Sequence, residues 1–180
     1  FKEWNSAADG SGQTTLSASA PFSMTAGNIE LHAQWDINSY TLTYNANADT
    51  SKYTGADFTG SFLPPSASHE YTSAVSAAAA LTMTGYTFKE WNSAADGSGQ
   101  TTLSASDSFS MTAGDLTLYA QWDINSYTVT YSANAASYTG AVFNGTLPDI
   151  KTYDYTSTVA AAAALTMTDY TFSGWNTKAD

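Results

Sequence analysis

The stretch FKEWNSAADGSGQTTLSAS, Phe1–Ser19, returns without a single change as Phe88–Ser106. Its beginning returns once more, altered, as FSGWNTKAD, Phe172–Asp180. Self-similarity of this kind is read first, because a missed repeat misassigns the whole fold. The recurrence is not confined to that segment. Trp35 recurs as Trp122, and Tyr40, Thr41, Thr43 and Tyr44 recur as Tyr127, Thr128, Thr130 and Tyr131. Trp4, Trp91 and Trp175 are spaced by 87 and then 84 residues, the shortening falling between Tyr44 and Tyr71 of the pattern.

This phase divides the chain into the C-terminal half of one repeat (residues 1–37), a complete repeat (38–124) and the N-terminal half of a following one (125–180). The segment DINS joins them, as Asp36–Ser39 and again as Asp123–Ser126. Four residues between two strands leave little freedom. The repeats are therefore expected in a fixed relation, as an elongated row.

Outward from the repeated stretch, the flanking segments alternate with a period of two. LTLYAQW, Leu116–Trp122, sets Leu116, Leu118, Ala120 and Trp122 on one face and Thr117, Tyr119 and Gln121 on the other. Its counterpart IELHAQW keeps Ile29, Leu31, Ala33 and Trp35 on the apolar face, with Glu30 and His32 opposite. The differences fall on the face that water tolerates, as in a half-buried antiparallel strand of fixed register. In YTLTY and YTVTY, Tyr40, Leu42 and Tyr44, and likewise Tyr127 and Tyr131, face inward. YTFKEWN changes parity between Phe88 and Trp91, which calls for a β-bulge near Lys89 and Glu90. AADGSG is a turn by its Asp-Gly and Ser-Gly steps. SAVSAAAALTMTG, Ser73–Gly85, is open between helix, from its alanines, and extended chain, from its flanks. It reads better as a strand end followed by irregular chain, being short for an independent helix.

Composition narrows the partners. Sixteen acidic residues against five lysines give a net charge of −11. That field repels nucleic-acid phosphates and anionic bilayer surfaces. No cysteine is present, so disulfide staples and thiolate metal sites are excluded. No apolar run approaches the roughly 20 residues of a membrane-spanning helix, so direct membrane insertion is not expected. There is no initiator methionine and no leader, as expected for a mature piece of a longer secreted protein.

GYTFKEWNSAADGSGQTTLSASDSFSMTAGDLTLYAQW, Gly85–Trp122, followed by SYTVTY, resembles the Listeria–Bacteroides repeat, also called the InlB B-repeat-like domain. The resemblance runs through the whole chain in phase with the internal repeat. It implies a small, mainly β unit of β-grasp type (a small α+β arrangement), carried in tandem by large surface and secreted proteins of bacteria and some archaea. Such units act as stalks, spacers and adhesion modules, and no catalytic residues are associated with them. This chain departs from the family pattern at Glu3 and Glu90, where the family has glycine, and in NANAD and SANAA, which replace a glycine pair.

The expected core is Trp4, Trp35, Trp91, Trp122, Trp175, Phe88, Tyr40, Tyr44, Tyr127 and Tyr131. Buried strand faces hold aromatic rings more often than sugar platforms do. Tyr119 and His32, on the outward face, are the candidate ligand-facing residues. His32 and His69 fit no catalytic or metal spacing. DGSG offers one carboxylate, fewer than calcium needs, whereas acids gathered at the junctions, for example Asp36 or Asp123, are candidates for an interdomain calcium site. Lys89 and Glu90 are adjacent on a strand and point apart, which excludes an isopeptide bond between them. Asn144-Gly145-Thr146 is a glycosylation sequon and also a turn signal. No catalytic residue, cofactor or metal is assigned.

The expected function is that of a non-enzymatic extracellular stalk, spacer or fibre segment. The alternatives are an adhesin-type module binding surface glycan or protein by avidity, and a self-assembling filament subunit. The expected partners are neighbouring repeats and, in a fibre, other copies of the chain. Phe1–Asp9 and Phe172–Asp180 are the same piece of the repeat, and both cannot fill one slot, which argues against simple end-to-end complementation.

Overall fold

The computed structural model describes residues 1–58 and 62–178. The last two residues of the third copy, Ala179 and Asp180, lie outside the described residues. The fold is mainly β and antiparallel. Its strands are β1 (Glu3–Asn5), β2 (Thr15–Leu16), β3 (His32–Gln34), β4 (Ser39–Asn45), β5 (Ala67–Glu70) and β6 (Ala74–Ser76). There follow β7 (Tyr86–Asn92), β8 (Thr102–Leu103), β9 (Ser108–Ser110), β10 (Leu116–Ile124), β11 (Ser126–Val129) and β12 (Lys151–Asp154). The one helical element among the described residues is a 3-10 turn, Ala135–Ser137.

The sheet orders are β2–β1–β3, then β5–β4–β10–β7–β8, with two two-stranded sheets, β11–β12 and β6–β9. Contacts divide the chain into two compact units. The first comprises residues 1–43, 65–76 and 108–117, and the second residues 44–64, 77–107 and 118–180.

In the first unit, Trp4 faces Leu16 on one side and Ala33 on the other. Leu42, Val75 and Met111 are its most buried apolar side chains. The pair β6–β9 carries Val75 opposite Phe109, and its ladder continues as Met111 N–H donates to the Ser73 carbonyl.

The second unit holds the denser core. Trp91, Leu118 and Ala120 are fully buried, and Trp122, Leu81, Met83, Tyr53 and Tyr86 nearly so. Between Gln121 and Trp122 the pairing of β10 with β7 slips by one residue: Gln121 faces Glu90, and Trp122 faces Phe88. Lys89 is the unpaired residue of this bulge. The bulge lets Phe88 and Trp91 turn toward the same interior despite their opposite parity. Their rings meet at 5.3 Å, and Tyr44 meets Trp91 at 4.8 Å, both edge-on.

Residues 77–82 form no regular element, although the run is rich in alanine. Ala78 shows why. Its N–H donates to Tyr44 Oη (3.0 Å), and its carbonyl accepts from Trp91 Nε1 (2.9 Å) and from Ser106 N–H (3.2 Å). A helix would need those same backbone groups for itself. The third copy repeats the arrangement: Ala162 N–H donates to Tyr131 Oη, and Trp175 Nε1 donates to the Ala162 carbonyl. The extended reading of Ser73–Gly85 is the one the chain adopts.

Candidate functional site: the turn lock and the repeat junction

Two constructions recur with the repeat. The first lies at the end of β7. Asn92 is 1% exposed, and its counterpart Asn5 is fully buried. Asn92 Oδ1 accepts from the N–H groups of Ala94 and Gly99, both at 2.9 Å. Its Nδ2 donates to the Gly97 carbonyl (3.1 Å) and to Thr102 Oγ1 (3.2 Å). A side chain that closes a turn in this way replaces the ladder bonds the turn lacks. Gln121, also buried, donates from Nε2 to the Ala94 carbonyl (3.3 Å) across the turn. A Cβ on Gly99 would overlap Ser93 Oγ and Asn92 Oδ1, so only glycine fits there. In the first copy Asn5 makes the same bonds to Ala7, Gly10 and Gly12, and Gln34 reaches the Ala7 carbonyl.

At the turn's apex Asp96 Oδ1 accepts from Ser98 Oγ (2.6 Å) and Ser98 N–H (3.0 Å), as Asp9 does from Ser11. The Ser98 hydroxyl, then its N–H, hold the Asp96 carboxyl below its ordinary value of 3.8. The depressed value fixes the sign. The ionised carboxylate supports the turn above pH 3.8, and that support is lost as pH falls through the lowered value. In Ser98→Ala the Asp96 value rises toward 3.8, read by carboxyl-carbon NMR titration. An unchanged value would remove Ser98 as the cause.

The second construction joins the complete repeat to the next one, within the second unit. A single residue, Asn125, separates β10 from β11. Its N–H donates to the Gly85 carbonyl (2.9 Å), and its carbonyl accepts from Tyr155 N–H (2.8 Å). Thr87 Oγ1 donates to Asn125 Oδ1 at 2.6 Å. Tyr155 lies edge-on to Tyr86 at 6.0 Å, and its hydroxyl donates to the Gly55 carbonyl at 3.2 Å. Burial raises the Tyr86 phenol above its ordinary value of 10.0, with Tyr155 and Tyr53 adding to the effect.

Gly85 (φ +77°) lies against the Tyr155 ring, and a Cβ there would overlap it. The third copy has Asp169 at this position with φ 62°, so the backbone alone tolerates a side chain. The ring is what excludes one at position 85. Gly85→Ala is expected to cost about 1–2 kcal/mol in left-handed backbone strain. It should also push Tyr155 off the junction, read as loss of amide protection at Asn125 and Tyr155. The earlier junction has the matching bond in the first unit, Tyr71 N–H to the Asn38 carbonyl at 2.8 Å.

The expected core residues fall into two groups. Trp91 and Trp122 are buried, and Phe88, Tyr40, Tyr44, Tyr131 and Trp175 are half-buried. Trp4, Trp35 and Tyr127 depart from the expectation, at 39%, 72% and 54% exposed. An apolar strand face is buried only where an opposing layer covers it. Trp122 has Phe58 and Phe88 beside it and donates from Nε1 to the Ala46 carbonyl, whereas among the described residues Trp35 meets one ring, that of Phe1. The candidate ligand-facing residues Tyr119 and His32 are half-buried and sit opposite Asn92 and Asn5 in their sheets. Asp36 and Asp123 are exposed, and among the described residues no group of three or more His, Asp or Glu side chains is placed to hold a metal.

Reading the sequence for chemistry missed Asn5, Asn92, Gln34 and Gln121. The available signal was their position inside WNSAADGSG and AQW, which are unchanged between copies.

Residues 40–121 and 127–180 match the family described as the Listeria-Bacteroides repeat domain. The chain is 37% identical over 142 residues to a "Putative Gly-rich membrane protein" of Evansella cellulosilytica, an alignment covering 76% of this chain and 15% of that protein. It is 35% identical over 151 residues to a "Putative membrane protein" of the same organism, covering 83% of this chain and 20% of that protein. The chain thus spans a fifth or less of the length of these relatives. No solved structure matches. Among the described residues no helix is long and apolar enough to cross a membrane.

Proposed function

The chain belongs to the Listeria–Bacteroides repeat family, and on that premise we propose that it is a non-enzymatic structural segment of a large cell-surface or secreted protein, a stalk or spacer. The observation that carries this reading is the junction at Asn125. One residue links two repeats, and both its backbone groups and its side chain are bonded, to Gly85, Tyr155 and Thr87. A tether of that construction transmits orientation from one repeat to the next, which a flexible linker does not. Copy number then sets reach. The names of the relatives, both membrane proteins in which this length is a small fraction, support placement in a large envelope-associated chain.

A glycan- or protein-binding role has less support, because Tyr119 is half-buried within a sheet. The test is small-angle scattering on natural arrays of increasing repeat number. A maximum dimension rising in proportion to copy number supports the spacer. Growth with the square root of copy number, as for a flexible string, would sink it. Surface labelling of intact cells tests the placement: an inaccessible protein argues against an external stalk.

A further inference from the structure

Asn144-Gly145 is the one Asn-Gly step in the chain. Both residues are exposed and lie in the irregular stretch, residues 141–150, that precedes β12. The Phe143 ring stands 2.8 Å from where a Cβ on residue 145 would be, which favours glycine there. In the complete repeat the matching step reads Thr59-Gly60 and lacks the asparagine.

The side-chain amide carbon of an asparagine is an acyl group, and the backbone nitrogen of the next residue is the nucleophile nearest to it. Attack closes a succinimide ring. A side chain on the next residue crowds that approach, and glycine has none. Asparagine counts among the thermolabile residues of proteins.

The fold holds the chain's competing steps shut. Asn5-Ser6 and Asn92-Ser93 have a small following residue, but both asparagines are buried. Each accepts two backbone N–H bonds at Oδ1 and donates from Nδ2 to a turn carbonyl, so its amide carbon turns toward the next nitrogen only by breaking them. Asn125-Ser126 is fixed by the junction bonds to Gly85, Tyr155 and Thr87. Asp9-Gly10 and Asp96-Gly97 have the glycine, yet the Gly10 and Gly97 N–H groups donate to the Ala7 and Ala94 carbonyls, both at 3.1 Å. Their carboxylates accept from Ser11 and Ser98, and an ionised carboxylate is a poor acyl donor.

We propose that Asn144 is a site of self-modification, converting without an enzyme to aspartate and isoaspartate while Asn5, Asn92 and Asn125 persist. The Gly145 nitrogen attacks Cγ of Asn144 and gives up its proton, and the amide nitrogen leaves as ammonia. Water then opens the succinimide. Opening at the former side-chain carbonyl leaves isoaspartate or aspartate according to which ring bond to nitrogen is cut: cutting the side-chain one restores the backbone as aspartate, and cutting the main-chain one routes the backbone through the side chain. The balance is one water in and one ammonia out, with no oxidant, metal or second protein. The product adds one negative charge to the present net −11 and destroys the sequon Asn144-Gly145-Thr146. The step is thus a timer, in which charge accumulates with age at one loop of one repeat. It stands apart from the spacer reading, which makes no use of Asn144.

The experiment is incubation of the folded 180-residue chain at mildly alkaline pH, followed by isoelectric focusing and peptide mapping. The expected result is an acidic species that grows with time, with aspartate and isoaspartate at position 144 and asparagine retained at 5, 92 and 125. Asn144→Gln should lose that species, because the longer side chain must close a larger ring, and circular dichroism checks that the variant folds. Incubation in urea should extend the reaction to Asn5 and Asn92, whose sequence is unchanged but whose bonds are gone. An Asn144 that stays intact overturns the proposal, as does an acidic species that persists in Asn144→Gln. So does conversion of Asn5 or Asn92 in the folded chain as fast as Asn144, or a failure of urea to release them, since the fold would then not select the site.

Discussion

Trp91→Ala lowers stability by about 3–5 kcal/mol, the cost of deleting a fully buried tryptophan from a packed core. Trp91 has no exposed surface, meets Tyr44 and Phe88 edge-on, and bonds the Ala78 carbonyl through Nε1. Its loss opens a cavity and leaves that carbonyl with the Ser106 bond alone. The same substitution at Trp4, 39% exposed, should cost well under half as much, because fewer contacts are lost. Chemical denaturation followed by near-ultraviolet circular dichroism checks both. Equal losses at the two positions would show that burial does not set the difference.

Asn92→Ala is the second large effect, at about 3 kcal/mol. It removes both bonds of Oδ1 and those of Nδ2 at once, leaving the Ala94 and Gly99 N–H groups and the Gly97 carbonyl to find water in a nearly closed site. Each buried group left unpaired costs about 1–3 kcal/mol, with some recovered by relaxation of an exposed turn. Asn92→Asp is expected to be no better. It keeps the acceptor but sets a second oxygen against the Gly97 carbonyl and buries a charge. Hydrogen exchange at Ala94 and Gly99 reads the turn directly, and protection surviving in Asn92→Ala would count against the lock.

The repeat, the strand parity and the bulge were legible in the sequence because each leaves a periodic trace. Phe88 and Trp91 have incompatible parity, and one unpaired residue is the cheapest repair. The alanine run was harder. Its propensity points to helix, and what decides it is Tyr44 and Trp91, 34 and 13 residues away, which take the backbone groups of Ala78. No local pattern announces such a bond. The turn-locking asparagines were hidden for a related reason: a buried Asn beside a Trp looks like an ordinary strand end until its partners in the following turn are seen. Alternation set Trp35 on an apolar face, yet its side chain is 72% exposed, since burial depends on two surfaces and periodicity reports one.

The strand order β5–β4–β10–β7–β8 has a mechanical consequence. In a tethered array, tension enters a repeat through its first strand, β4, and leaves through its last, β10. These two are neighbours in the sheet, so a pull falls on the pairing between them and by-passes β7, β8 and the AADGSG turn. The repeat would then resist stretching as a clasp, with its loops slack and its closing strands bearing the force.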